Sequence, residues 1–195
     1  MEYFDDLEWV EEKFGPYICN SGGADGSDTV FEEECTKKGI QVIAWSFDGH
    51  NTKSLNRKIL TKEELTEGFE HVKKANETLK RNIYNLSPYV KNLLSRNWFQ
   101  VKNSSAVYAI GTFQVNDFKI ISGGTGWACQ EGINNKKDVY IFEQNINSWF
   151  KYNYKNEIFE KYNGIPQLTK RFAGVGTREI NENGIEAIKE LLKSI

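Results

Sequence analysis

Tyr17-Ile18-Cys19-Asn20-Ser21-Gly22-Gly23-Ala24-Asp25-Gly26-Ser27-Asp28 is the stretch whose reading decides the fold. A short apolar run, residues 17–19, reads as a buried strand that ends at a glycine-rich turn. Ser27 and Asp28 have side-chain oxygens suited to capping a helix over about 29–38, which Gly39 stops. Residues 41–47 follow, with Val42-Ile43-Ala44-Trp45 as a continuous apolar run. Strand, tight turn, helix and strand form one βαβ unit, and parallel strands require such a crossover.

The same grammar continues in both directions. Upstream, residues 4–14 read as an acidic amphipathic helix ended by Gly15-Pro16. Downstream, 48–61 reads as a polar loop. Residues 62–81 read as an exposed helix capped by Thr61, with Glu64 three residues on. Ser87-Pro88 opens a helix over about 89–101. Strands are expected at 106–110, 118–121, 139–142 and 172–176, with helices from about Trp127 and over 184–192. Residues 145–162 are aromatic and irregular, a small β excursion with an exposed cap. The alternation predicts an α/β, Rossmann-like fold, a mainly parallel sheet with helices on both faces, in a single domain over 1–195.

Composition narrows the function classes. The chain has 195 residues and a net charge of −2, which disfavours duplex nucleic acid as the main partner. Cys19, Cys35 and Cys129 form no C-x-x-C pair, which fits a reducing, cytoplasmic setting. No apolar run approaches the ~20 residues of a membrane span, and the acidic start is unlike a signal peptide. Two histidines and scattered carboxylates give no metal spacing, so neither metal nor cofactor is expected. G-x-G-x-x-G in a strand-to-helix context and G-x-x-x-x-G-K-[ST] are both absent. That argues against a dinucleotide dehydrogenase and a P-loop NTPase.

Three turns rich in glycine follow strands and open helices. They are Ser21-Gly22-Gly23-Ala24-Asp25-Gly26 with Asp28, then Ser122-Gly123-Gly124-Thr125-Gly126, then Gly174-Val175-Gly176-Thr177-Arg178-Glu179. Amides at a helix start face an anion and the helix dipole adds to the attraction, so these turns are candidates to cradle phosphates. Arg96 and Gln100 lie one turn apart on one helix face. Arg96 reads either as a bidentate anion ligand or as half of a surface ion pair, and Arg178 carries the same ambiguity. Asp25, His50, Asn97, Gln100 and Thr125 are candidates to fix ribose or base. His50 reads equally as structural, Asp28 equally as a helix cap, and His71 as surface. Trp45, Trp98, Trp127 and Trp149 are expected in the core, with one or two near the turns able to sandwich a base.

On these residues the sequence resembles the SLOG superfamily, which unites LOG-type nucleotide phosphoribohydrolases, YpsA-like proteins and sensor domains of prokaryotic immune systems. Residues 21–28 resemble the YpsA-like G-G-A-x-G-A-D signature. Arg96-Asn97 is similar to the family's Arg-Asn or Arg-Lys. Gly123-Gly124-Thr125-Gly126 is similar to the G-G-x-G-T turn, and 172–178 to the strand and G-S-R turn that usually open such domains. The resemblance implies a circularly permuted order, with 171–195 supplying the first strand and helix, and a likeness to bacteriophage proteins acting in a host cytoplasm.

The resemblance also implies a nucleotide-like or ADP-ribose-like ligand and a homo-oligomer, a dimer or higher. Two functions follow from it: capture as a sensor or as a sponge of a nucleotide immune signal in anti-defence, or hydrolysis of the N-glycosidic bond of a nucleoside 5′-monophosphate. The LOG carboxylate position holds Gln130, leaving Glu131, Glu179 and Arg96 as catalytic candidates. A third reading is a protein-interaction role with 149–154 as the patch.

Overall fold

Ala106-Val107-Tyr108-Ala109-Ile110-Gly111 is buried along its whole length, as a strand covered on both faces must be. It is β4 in a computed structural model that describes residues 16–115, 117–193 and 195. The helix expected over 4–14 lies outside the described residues.

Around β4 stand β1 (Ile18–Ser21), β2 (Gln41–Ser46), β3 (Arg57–Ile59), β7 (Asp138–Glu143), β8 (Ser148–Asn153), β9 (Ile158–Lys161) and β10 (Arg171–Gly176). They form one eight-stranded sheet in the order β3-β2-β1-β10-β4-β7-β8-β9. The pairs from β3 through β7 are parallel, and β8 and β9 add an antiparallel edge. The α/β, largely parallel, Rossmann-like class is therefore as expected.

Alternation along β4 sets the two layers. Tyr108 and Ile110 point to a core shared with Phe172, Tyr140 and Phe142, covered by α1 (Ser27–Lys37) and α5 (Glu182–Leu192) through Phe31, Ile188 and Leu191. Val107 and Ala109 point the other way, to Ala173, Val175 and Ile141, under α3 (Pro88–Lys102) and α4 (Thr125–Asn134). Helix α2 (Lys62–Leu79) forms a further layer on α3 and α4 through Val72, Ala75, Leu79, Leu94 and Trp127. It starts at the expected capping box of Thr61 and Glu64.

Four expectations are corrected. The loop at 48–61 contains β3. Strand β6 (Asp117–Ile121) is not in the main sheet; it pairs with β5 (Phe113–Gln114) in an antiparallel hairpin hung from the end of β4. The small β excursion expected at 145–162 is strands β8 and β9, which extend the main sheet and do not stand apart as an exposed cap. Trp149, Phe150 and Phe159 there are buried, so the interaction patch expected at 149–154 is spent on the core. Finally, α1 is capped by Gly26 and not by the side chain of Ser27 or Asp28.

Candidate functional site

In open parallel sheets ligands bind beyond the carboxyl ends of the strands. Here β1, β10 and β4 are neighbours, and the loops leaving their carboxyl ends frame a cleft of about 570 Å³. That is the volume of a small-molecule site. Ala24 and Asp28 come from the first turn, and Gly176, Thr177, Arg178 and Glu179 from the third. Gly111 ends β4 and Thr112 follows it, and Ser122 to Thr125 return beside them, because the β5–β6 hairpin doubles back and Ser122 N–H donates to the Thr112 carbonyl at 2.9 Å. Helix α3 closes the cleft with Arg96, Asn97 and Gln100 and with an apolar wall of Val90, Leu93 and Leu94.

The first turn is occupied by the protein itself. Gly23 N–H donates to Ser21 Oγ at 3.2 Å and Ala24 N–H to Asp28 Oδ2 at 3.2 Å. Ser27 N–H donates to the Thr177 carbonyl at 3.0 Å, and the Ser27 hydroxyl bonds the same oxygen. A Cβ on Gly22 would fall inside the Arg96 guanidinium, and one on Gly26 would stand 2.5 Å from Arg178 Cα. Gly22, Gly23 and Gly26 therefore serve close packing. Within the stretch 22–26 expected to cradle phosphate, the amides of Gly23 and Ala24 are engaged inside the turn and Ala24 alone lines the cleft; Ser21, with its hydroxyl donated to Glu32, is buried outside it. Asp25 is exposed and does not line the cleft.

The second turn is open. A Cβ on Gly123 or Gly124 would meet nothing within 4 Å. Both glycines and Thr125 line the cleft at the start of α4, where the first amides have no acceptor within the helix. Gly126 does not line it; it packs on the Ile121 carbonyl. Arg81 braces this turn, donating to the carbonyls of Gly123 at 2.6 Å and Ile121 at 2.7 Å, with its guanidinium over Trp127. Nothing in the local sequence around Arg81, forty residues upstream, points to that role.

Charges on the cleft floor are only loosely matched. Arg96 is buried, with Nη1 4.0 Å from Asp28 Oδ2. Its Nε and Nη1 have no hydrogen-bond partner, and neither does Gln100 Oε1. Burial pushes the Asp28 carboxyl up to about 6, against the opposing pull of Arg96 and the Ala24 N–H. Burial also lowers the Arg96 guanidinium.

His50 is not in the cleft. It stacks on Phe47 with ring centroids 4.9 Å apart, and its Nδ1 is 2.9 Å from Ser46 Oγ. Burial, then Arg96, Arg57 and Arg178, lower it to about 4, so it is neutral at physiological pH. Neither Gln130 nor Glu131 lines the cleft: Gln130 bonds Asn134, and Glu131 is buried with both carboxylate oxygens unpartnered and its pKa raised by desolvation. Glu179 stands at the exposed rim. None of the four expected tryptophans faces the cleft. His71 is not a free surface histidine but is stacked on Trp98. Sequence reasoning missed Thr112 and the wall of Val90, Leu93 and Leu94, which the end of β4 and the start of α3 bring in.

Among the described residues no cluster of His, Cys, Asp or Glu could hold a metal ion, and no helix is long and apolar enough to cross a membrane. No protein-family model, curated protein or solved structure matches the chain.

Proposed function

We propose that this chain binds a nucleotide-type small molecule, with its sugar and phosphate in the cleft at the carboxyl ends of β1, β10 and β4. The observation that carries this reading is that Arg96 and Gln100, two residues lining the cleft together with the open start of α4, carry buried polar atoms with no partner in the protein: Arg96 Nε and Nη1 and Gln100 Oε1. Buried polar atoms are almost always paired, and unpaired ones around a cavity suit an absent polar guest. Counted from β10, the strands β10, β1, β2, β4 and β7 lie in the order 3-2-1-4-5, which supports a permuted Rossmann-like domain of SLOG type.

Helix α4 places neither Gln130 nor Glu131 in the cleft, which favours capture over turnover, as a sensor or as a sponge of a nucleotide or ADP-ribose-like signal. The test is mass spectrometry of co-purifying small molecules together with thermal shifts against nucleoside monophosphates, ADP-ribose and cyclic dinucleotides. A ligand at about 100 times its Kd is expected to stabilise by ~2.7 kcal/mol. No shift with any of them and no co-purifying nucleotide would overturn the proposal.

One observation favours the second reading, N-glycosidic hydrolysis. Asp28 is a carboxylate in the cleft beside Arg96, raised by burial to about 6, within reach of the pH at which a general acid or base exchanges its proton. Release of free base from nucleoside 5′-monophosphates, abolished in Asp28→Asn, is the expected result under that reading.

A further inference from the structure

Arg96 and Gln100 stand one helical turn apart on α3, side by side over Gly22, whose missing side chain leaves the space both occupy. They are 5% and 1% exposed, and both line the cleft. Asp28 faces them, its Oδ2 fixed by the Ala24 N–H and held 4.0 Å from Arg96 Nη1, too far for a hydrogen bond. Of these cleft-lining side chains, Arg96 thus carries two buried unmatched donors and Gln100 one buried unmatched acceptor, beside a carboxylate that accepts.

A phosphate does not suit that set. Its oxygens accept from Arg96, but they also confront the oxygens of Asp28 and Gln100 with nothing to donate. A hydroxyl does both, and two adjacent hydroxyls do so twice. We propose that Asp28, Arg96 and Gln100 form a floor that reads the cis-diol of a ribose: the hydroxyl oxygens accept from Arg96, and the hydroxyl hydrogens donate to Asp28 and Gln100. The phosphate end then lies at the mouth, against the amides of Gly123 to Thr125 and beside Arg178. This assignment rests on the nucleotide reading above and adds the direction in which the ligand enters, sugar first. It also makes the site selective for ribose over deoxyribose. Sites built to hydrogen-bond a hydroxyl reject the analogue that lacks it, because the protein's polar groups are left unpaired.

Calorimetric titration of the full chain with ribose 5-phosphate, 2-deoxyribose 5-phosphate and ribose tests this. Ribose 5-phosphate is expected to bind at least about tenfold tighter than its deoxy analogue. Asp28→Asn, checked for folding by its circular dichroism melt, keeps the shape but loses the charge, and is expected to narrow that ratio about fivefold. Equal binding of the two sugar phosphates, or an unchanged ratio in Asp28→Asn, overturns the diol floor and leaves the nucleotide reading standing. Ribose binding as tightly as ribose 5-phosphate overturns the phosphate placement and with it the nucleotide reading, while the floor survives. No binding of any of the three overturns both.

Discussion

In the turn after β1, an added methyl at Gly22 runs into Arg96 and one at Gly26 meets the Arg178 backbone; in the turn before α4, the same methyl at Gly123 or Gly124 meets nothing. Both turns are rich in glycine and both open a helix at the carboxyl edge of the sheet. In the first, small residues let the protein pack on itself and bring Arg96 and Arg178 to the cleft. In the second, they leave helix amides uncovered. Glycine-rich composition therefore reports that something comes close to the backbone, and only the surroundings tell whether it is protein or ligand.

Breaking the first turn gives the largest effect. Gly26 has φ 95° and its Cβ direction points at Arg178 Cα. Gly26→Val is expected to cost about 3 kcal/mol or more in denaturant unfolding, by strain and overlap together. A loss under about 1 kcal/mol would mean that the packing around it is loose.

The next effect concerns pH. Asp28 is raised from 3.8 to about 6 in the folded protein, so its contribution is intact below about pH 4 and is lost as pH rises through 6. His50 is lowered from 6.5 to about 4, so its contribution is intact above about pH 6.5 and is lost as pH falls through 4. Each amounts to on the order of 3 kcal/mol, and the two oppose each other over the same window. The wild type is expected to be nearly flat in stability between pH 4 and 6.5 as far as these two groups are concerned. Asp28→Asn should then gain stability with rising pH there, and His50→Gln should lose it. Parallel profiles for both variants would refute the opposition.

Two smaller effects sharpen the second turn. Arg81→Ala removes two charged hydrogen bonds to its carbonyls, at a cost of about 1–3 kcal/mol by thermal or urea melts, and should weaken ligand binding. Gly124→Ala should change stability by no more than about 0.5 kcal/mol, since its φ is −62° and the added methyl is unopposed. The same variant should lose the ligand-induced thermal shift. A retained shift would put the ligand away from the start of α4.

Much of this was legible in the chain. The βαβ unit at 17–47, the capping box at Thr61 and Glu64 and the apolar runs of β4, β7 and β10 rest on local signals, and the fold follows from them. Of the site, Arg96, Asn97, Gln100, Asp28, Gly123, Gly124, Thr125, Gly176, Thr177 and Arg178 were named in advance, and the cleft brings them together. What was not legible depends on distant partners. For Asp28 the sequence leaves cap and cleft equally open, and the Ala24 N–H and Arg96 around its carboxylate, with Gly26 as the cap, decide between them. His50 follows a strand end, but Phe47 and Ser46 draw its ring inward. The aromatic residues of 148–161 lack clean alternation because the adjacent rings of Trp149 and Phe150 are buried on opposite faces of the sheet, one in each core.

Strand β10 pairs with β1 on one side and β4 on the other, yet it follows every other strand in the chain. During synthesis β1 and β4 therefore emerge long before the segment that joins them, each with an open edge able to pair wrongly. Until residues 171–176 leave the ribosome, the two halves of the sheet have no seam, and the third glycine turn that completes the cleft does not yet exist. The cleft and the sheet thus become complete at the same moment.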